Sequence, residues 1–117
     1  MTMCISRMID EKRRYRKYEA RIEQLPADYR TAVAALERYT NYLGGLGDGA
    51  SILSMLEDLA DLFEQSAADG TAIRAVVGED PVEFAEAFLR NYPAGHWIIR
   101  ERERLTKAIA SATDNER

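Results

Sequence analysis

The chain has 117 residues, 46% of them hydrophobic and 31% charged, with a formal net charge of -4. A chain of this size buries roughly two-thirds of its unfolded surface around one core, and the composition is too apolar for a wholly disordered protein. No apolar run reaches the roughly 20 residues of a membrane-spanning helix, the N-terminus lacks the apolar stretch of a secretory signal, and a lone Cys4 excludes an internal disulfide or a cysteine metal site, so a cytoplasmic protein is expected.

Ile5, Met8, Tyr15, Tyr18, Ile22 and Leu25 recur at steps of three, four or seven, which lines them along the inner side of a first helix capped by Ser6. The residues between them are nearly all charged and form its wet side. Pro26 stops this helix, because the residue before a proline is pushed out of the α region. A second helix from Ala27 or Asp28 carries Tyr29, Val33, Leu36, Tyr39 and Leu43 as its apolar stripe. Gly44, Gly45, Gly47 and Gly49 end it, and Asp48 or Ser51 caps the next helix.

That third helix, over about 51–68, is the most apolar segment and the expected centre of the fold. Ile52, Leu53, Met55, Leu56, Leu59, Ala60, Leu62, Phe63 and Ala67 wrap a broad face, and Gly70 closes it. Residues 71–77 read as a short helix closed by Gly78, although Val76 and Val77 suit an extended segment equally. Asp80 before Pro81 is a strong helix start: aspartate caps free amides, and proline tolerates the first helical position. Val82, Ala85, Phe88 and Tyr92 then face inward. After Pro93 and Gly95 a last helix, over about 97–112, places Ile98, Leu105, Ile109 and Ala112 on one side, and residues 113–117 are expected to fray. The expected architecture is all-α: one domain over 1–112, an antiparallel bundle of four long helices plus one or two short ones.

Charge is unevenly distributed. Residues 1–25 hold seven basic and four acidic side chains, giving +3, whereas residues 44–93 hold two basic and ten acidic ones, giving -8. A basic first helix thus meets an acidic middle.

Several ordered strings resemble a known family. Met8, Ile9, Asp10, Glu11, Lys12 and then Leu25, Pro26, Ala27, Asp28, Tyr29, Arg30 are similar to the start of the domain-of-unknown-function 1048 family, small helical bacterial proteins. Gly47, Asp48, Gly49, then Met55, Leu56, Asp58, Leu59, Asp61, Leu62, Phe63, Glu64, then Ala67, Ala68, Asp69, Gly70, resemble its central helix. Val77, Gly78, Glu79, Asp80 resemble its next turn, so the likeness runs over about 6–110. It implies an all-helical bundle and a genetic setting beside small winged-helix repressors of the phenolic-acid-decarboxylase regulator type. It supplies no active site.

Candidate chemistry is sparse. Glu57, Asp58, Asp61 and Glu64 share one side of the third helix, an arrangement that suits a carboxylate metal site or, more simply, a solvated or docking face. A bundle dimetal site adds Glu-x-x-His on partner helices, and the single histidine, His96, falls in a break between helices. His96 and Trp97 form a helix entry, with the indole inward and the imidazole at the surface. No nucleophile, base, cofactor motif or metal cluster is assembled, so no catalytic, cofactor or metal residue is assigned.

Lys12, Arg13, Arg14, Arg16, Lys17 and Arg21 form the best patch for nucleic acid, but a pI near 5.1 sets the acidic half against a phosphate backbone. If the first and third helices are adjacent, these charges cancel internally; if not, they serve a dimer or an external partner. The leading expectation is therefore a noncatalytic protein-interaction or regulatory module. It would act with a neighbouring transcriptional regulator or as a homo-oligomer through Lys12, Arg13, Arg16, Lys17, Glu57, Asp58, Asp61 and Glu64. The alternatives are a small-molecule binder or enzyme with a pocket lined by Tyr39, Tyr42 and Trp97, and a nucleic-acid binder through the first helix.

Overall fold

A computed structural model describes the backbone over residues 2–43 and 49–114 and the side chains from residue 6 onward. Among these residues every regular element is helical: α1 (Thr2–Glu23), α2 (Ala27–Leu43), α3 (Gly49–Asp69), α4 (Ile73–Val77), α5 (Pro81–Leu89), a 3-10 turn (Pro93–Gly95) and α6 (His96–Asp114). The cap expected at Ser6 is not one, because α1 already starts at Thr2 and Ser6 lies in its second turn. Residues 44–48, including Asp48, and the tail 115–117 lie outside the described residues, whereas Thr113 and Asp114, expected to fray, are helical.

The core is built on α3. Leu53, Met55, Leu56, Leu59, Ala60 and Phe63 are buried, so the helix contributes a broad apolar face rather than a narrow stripe. Tyr18 reaches it from α1, Leu25 from the turn that follows, and Tyr29, Val33 and Leu36 from α2. The Tyr29 ring meets Phe63 edge-to-face at 6.3 Å, while its hydroxyl donates to the Thr71 carbonyl beyond the end of α3. Gly70 ends α3 with a φ of 70°, a conformation that costs other residues roughly 1–2 kcal/mol. Among the described residues the buried Tyr18 hydroxyl has no hydrogen-bond partner, and burial, with the Glu37 carboxylate nearby, holds its pKa above the ordinary value.

α1 turns back into α2 and α2 into α3, so α1 and α3 run parallel, an up-down-up arrangement. The ion pairs confirm the direction: Arg14 meets Glu57 and Arg21 meets Glu64, each 43 residues further along the chain. α5 starts as expected, with the Asp80 carboxylate accepting from the Val82 and Glu83 amides at 3.1 Å. The 3-10 turn then tucks under α3. Ala94 is completely buried, and its amide donates to the Ser51 hydroxyl at 3.1 Å, so Ser51 anchors this turn instead of capping α3. At Gly95 the backbone passes so close to α5 that an added Cβ would lie 2.3 Å from the Leu89 carbonyl oxygen.

The four-helix bundle is not what forms. α6 is held at its base, where Ile98 is buried and the Trp97 indole N–H donates to the Leu43 carbonyl at 2.6 Å. All of residues 99–114 are exposed, among them Leu105, Ile109 and Ala112, which the helical periodicity assigned to the core. At 1.5 Å per residue this segment is about 24 Å long, and it runs clear of the three packed long helices. Met8 and Val82, also expected inward, are exposed as well. The extents, 61 × 46 × 16 Å, and the radius of gyration of 17.8 Å record the projection, since a compact chain of this length has a radius near 13 Å.

Candidate functional site

The parallel packing of α1 on α3 decides what the charges do. The Arg14 guanidinium donates to both oxygens of Glu57, at 2.6 and 3.2 Å, and touches the Ser54 hydroxyl at 3.4 Å. One heptad later Arg21 grips Glu64 at 2.6 and 3.1 Å and also reaches Asp61. Asp58, the fourth acidic residue, accepts from the Tyr92 hydroxyl at 2.5 Å. All four carboxylates are therefore engaged within the molecule. Burial, followed by the bond to Asp58, pushes the Tyr92 phenol above its ordinary pKa, and the Arg14 hydrogen bonds hold the Glu57 carboxyl below the usual range.

This ladder has a pH signature. Because the folded pKa of Glu57 lies below its unfolded value, the pair contributes stability above an unfolded pKa of about 4.3 and loses it as pH falls through the folded value. Both side chains are about one-third exposed, which limits the contribution to about 1 kcal/mol. Glu57→Gln is expected to lower the unfolding free energy from urea titration by that amount at pH 7 and by less at pH 3, giving a shallower acid limb. An equal loss at both pH values would contradict the ion-pair origin.

Among the described residues Lys12, Arg13, Arg16 and Lys17 are exposed and form no ion pair, and Lys12 and Arg16 line the cleft between α1 and α3. The structure thus divides the sequence-derived surface in two: exposed cations on α1, and an acidic stripe engaged by Arg14, Arg21 and Tyr92. The signal for these partners was present, since Arg14 and Arg21 are spaced by seven residues, as are Glu57 and Glu64.

The aromatic trio does not converge on one pocket. Tyr39 donates to Glu86 at 3.3 Å, Trp97 to Leu43, and Tyr42 stands 77% exposed with the Arg38 guanidinium 5.9 Å from its ring centre. The cleft between α1 and α3 is separate and measures about 440 Å³; Met8, Tyr15, Ile52, Leu53 and Leu56 form its apolar walls and Glu11, Lys12, Arg16, Glu19 and Asn41 the polar contribution. Tyr15 donates to Glu37 at 2.8 Å; burial and that carboxylate push its phenol up to about 12. Among the described residues no three metal-ligating side chains converge, and no helix is long and apolar enough to cross a membrane.

The family model for a protein of unknown function (DUF1048) matches residues 6–110, nearly the whole chain. The chain belongs to this family. No curated protein and no solved structure matches it. The reading of its surface as a member of DUF1048 therefore rests on its own residues.

What α6 presents is distinctive within that surface. Ile98, Leu105, Ile109 and Ala112 follow one another at steps of seven, four and three and so lie on one side of the helix. At Ile98 that side is buried; further out Leu105 and Ile109 are 65% and 57% exposed. The side that packs at the base therefore continues into solvent. Arg102 lies on its edge and is drawn toward α5 by Glu86 at 3.3 Å.

Proposed function

We propose that this member of DUF1048 is a noncatalytic bacterial protein-interaction module of the cytoplasm, engaging another protein or a second copy of itself through α6. The observation that carries this reading is the apolar side of α6, which runs from the buried Ile98 to the exposed Leu105 and Ile109. Burying two large aliphatic side chains contributes roughly 1.5–3 kcal/mol each, a gain that remains unrealised without a partner. A helix of about this length is also marginal in water when unsupported by packing. A neighbouring winged-helix transcriptional regulator is the external partner the family resemblance suggests, and the exposed Lys12, Arg13, Arg16 and Lys17 offer a second, polar contact for an acidic surface.

The test is a pull-down with the full chain from its native cytoplasm, paired with a light-scattering mass. Specific capture or self-association is expected, and either is expected to be lost in Leu105→Glu. No specific partner together with a strictly monomeric mass would overturn the reading.

A second reading, a small-molecule binder, is supported by the cleft between α1 and α3, whose volume lies within the range of ligand sites. It predicts ligand-dependent thermal stabilisation in a metabolite screen that is abolished by Leu53→Trp.

A further inference from the structure

We infer that the groove between α2, α4 and the start of α5 binds a small apolar monocarboxylate, held by Arg74. The site is separate from α6 and from the cleft between α1 and α3, so it stands apart from both functional readings.

The groove follows from side-chain size. Ala32 and Ala35 lie about one turn apart on α2, beside the buried Leu36, where α4 and the first turn of α5 approach that helix. Two methyl groups fill little of the space between these elements. About 380 Å³ stays open, a volume within the range of small-molecule sites. Ile73 and Val77 border it from α4, and Pro81 and Val82 from α5. Val82 is inward-facing by its periodicity yet 49% exposed, because it borders this groove instead of packed core.

The lining selects the chemistry of the ligand. Seven of the eight residues around the groove are apolar, and the eighth is Arg74. Among the described residues its guanidinium forms no ion pair, and its side chain donates only to the Gly78 carbonyl, at a long 3.4 Å. A planar guanidinium pairs two-pronged with a carboxylate, and apolar walls that exclude water strengthen the pairing. One guanidinium balances one negative charge, so a monoanion fits, whereas a phosphate monoester would lack a second cation.

Other ligand classes fit less well. A cation meets Arg74 and finds no carboxylate in the lining; Asp80, next to Pro81, already accepts from the Val82 and Glu83 amides. A peptide or sugar brings polar groups that the groove cannot satisfy. Pro81 has no amide hydrogen, the Val82 amide is taken, and the α2 backbone is hydrogen-bonded within its own helix. Polar groups entering there would lose water without replacement. What suits the groove is a short hydrocarbon body ending in a single carboxylate. Arg74 is itself exposed, so solvent screening keeps the affinity modest.

The probe is octanoate, titrated into the full chain beside octanol and octylammonium and followed through backbone amide shifts by NMR. Octanoate is expected to bind at least about tenfold more tightly than either, with the largest shifts over residues 32–36 and 73–82. Arg74→Gln, a change at an exposed position, is expected to bring octanoate down to the affinity of octanol while octanol itself is unchanged. Ala35→Trp, also at an exposed position, fills the groove and is expected to abolish binding of both. Thermal melting confirms that each variant folds. No octanoate binding at millimolar concentration, equal binding of octanoate and octanol, binding that survives Arg74→Gln undiminished, or shifts centred on Leu53 and Leu56 would each overturn the proposal. Leu105→Glu and Leu53→Trp, which test the two functional readings, are expected to leave octanoate binding unchanged, so those readings and this site fail separately.

Discussion

Gly95→Ala is expected to destabilise the protein by about 3 kcal/mol, the upper end of the cost of overpacking a close-packed interior. The added methyl would lie 2.3 Å from the carbonyl oxygen and 2.7 Å from the carbonyl carbon of Leu89, which are backbone atoms and cannot rotate aside. Relief requires the turn and α5 to separate, yet Leu89 and Ala94 are both completely buried and the Ala94 amide is tied to Ser51. Gly70→Ala, which places a methyl in open space at a positive φ, is expected to cost only about 1–2 kcal/mol. Urea unfolding of the two variants separates a steric cost from a conformational one. Trp97, the single tryptophan, follows this turn closely in the chain, and its emission should shift to the red in the folded state of Gly95→Ala only. Equal midpoints for the two variants would show that the turn yields freely.

The second large effect is expected at Phe63. It is completely buried in the middle of α3 and packs edge-to-face on Tyr29 from α2. Truncation to alanine removes the ring from the centre of the three-helix core and leaves a cavity that helical backbones cannot close, at a cost of about 3–5 kcal/mol. Against the roughly 5–15 kcal/mol that holds a domain of this size together, this is a large share. Phe63→Leu keeps most of the volume and is expected to cost less than about 1.5 kcal/mol, apart from the lost aromatic pair. The urea midpoints of the two variants provide the measurement; a small loss for Phe63→Ala would mean that the core collapses around the gap.

Much of the fold could be read from the residues. The proline at 26, the Asp80–Pro81 start and the glycine at 70 act through local backbone chemistry, so they mark element boundaries wherever the elements finally pack. The central place of α3 followed from the breadth of its apolar face. The fate of α6 did not follow, because periodicity reports that one side of a helix is to be covered and is silent on what covers it. Leu105 and Ile109 carry the same signal whether the covering residues belong to the same chain or to another. The role of the acidic stripe stayed open for a related reason. Glu57, Asp61 and Glu64 form one surface when α3 is viewed alone, and become the inner rungs of a ladder once α1 lies beside it. Only the matched seven-residue spacing of the arginines and glutamates linked the two helices, and such a match acquires meaning when the helices are known to run parallel.

The thinness of the molecule has a consequence for how its assembly state is measured. A radius of gyration of 17.8 Å is that of a compact chain of about 240 residues, roughly twice the 117 present. Friction and pore exclusion respond to span rather than to weight. A single copy therefore migrates on a sizing column near the position of a globular dimer, so elution volume alone would report two copies where there is one. Scattered intensity, which depends on mass and not on outline, distinguishes them.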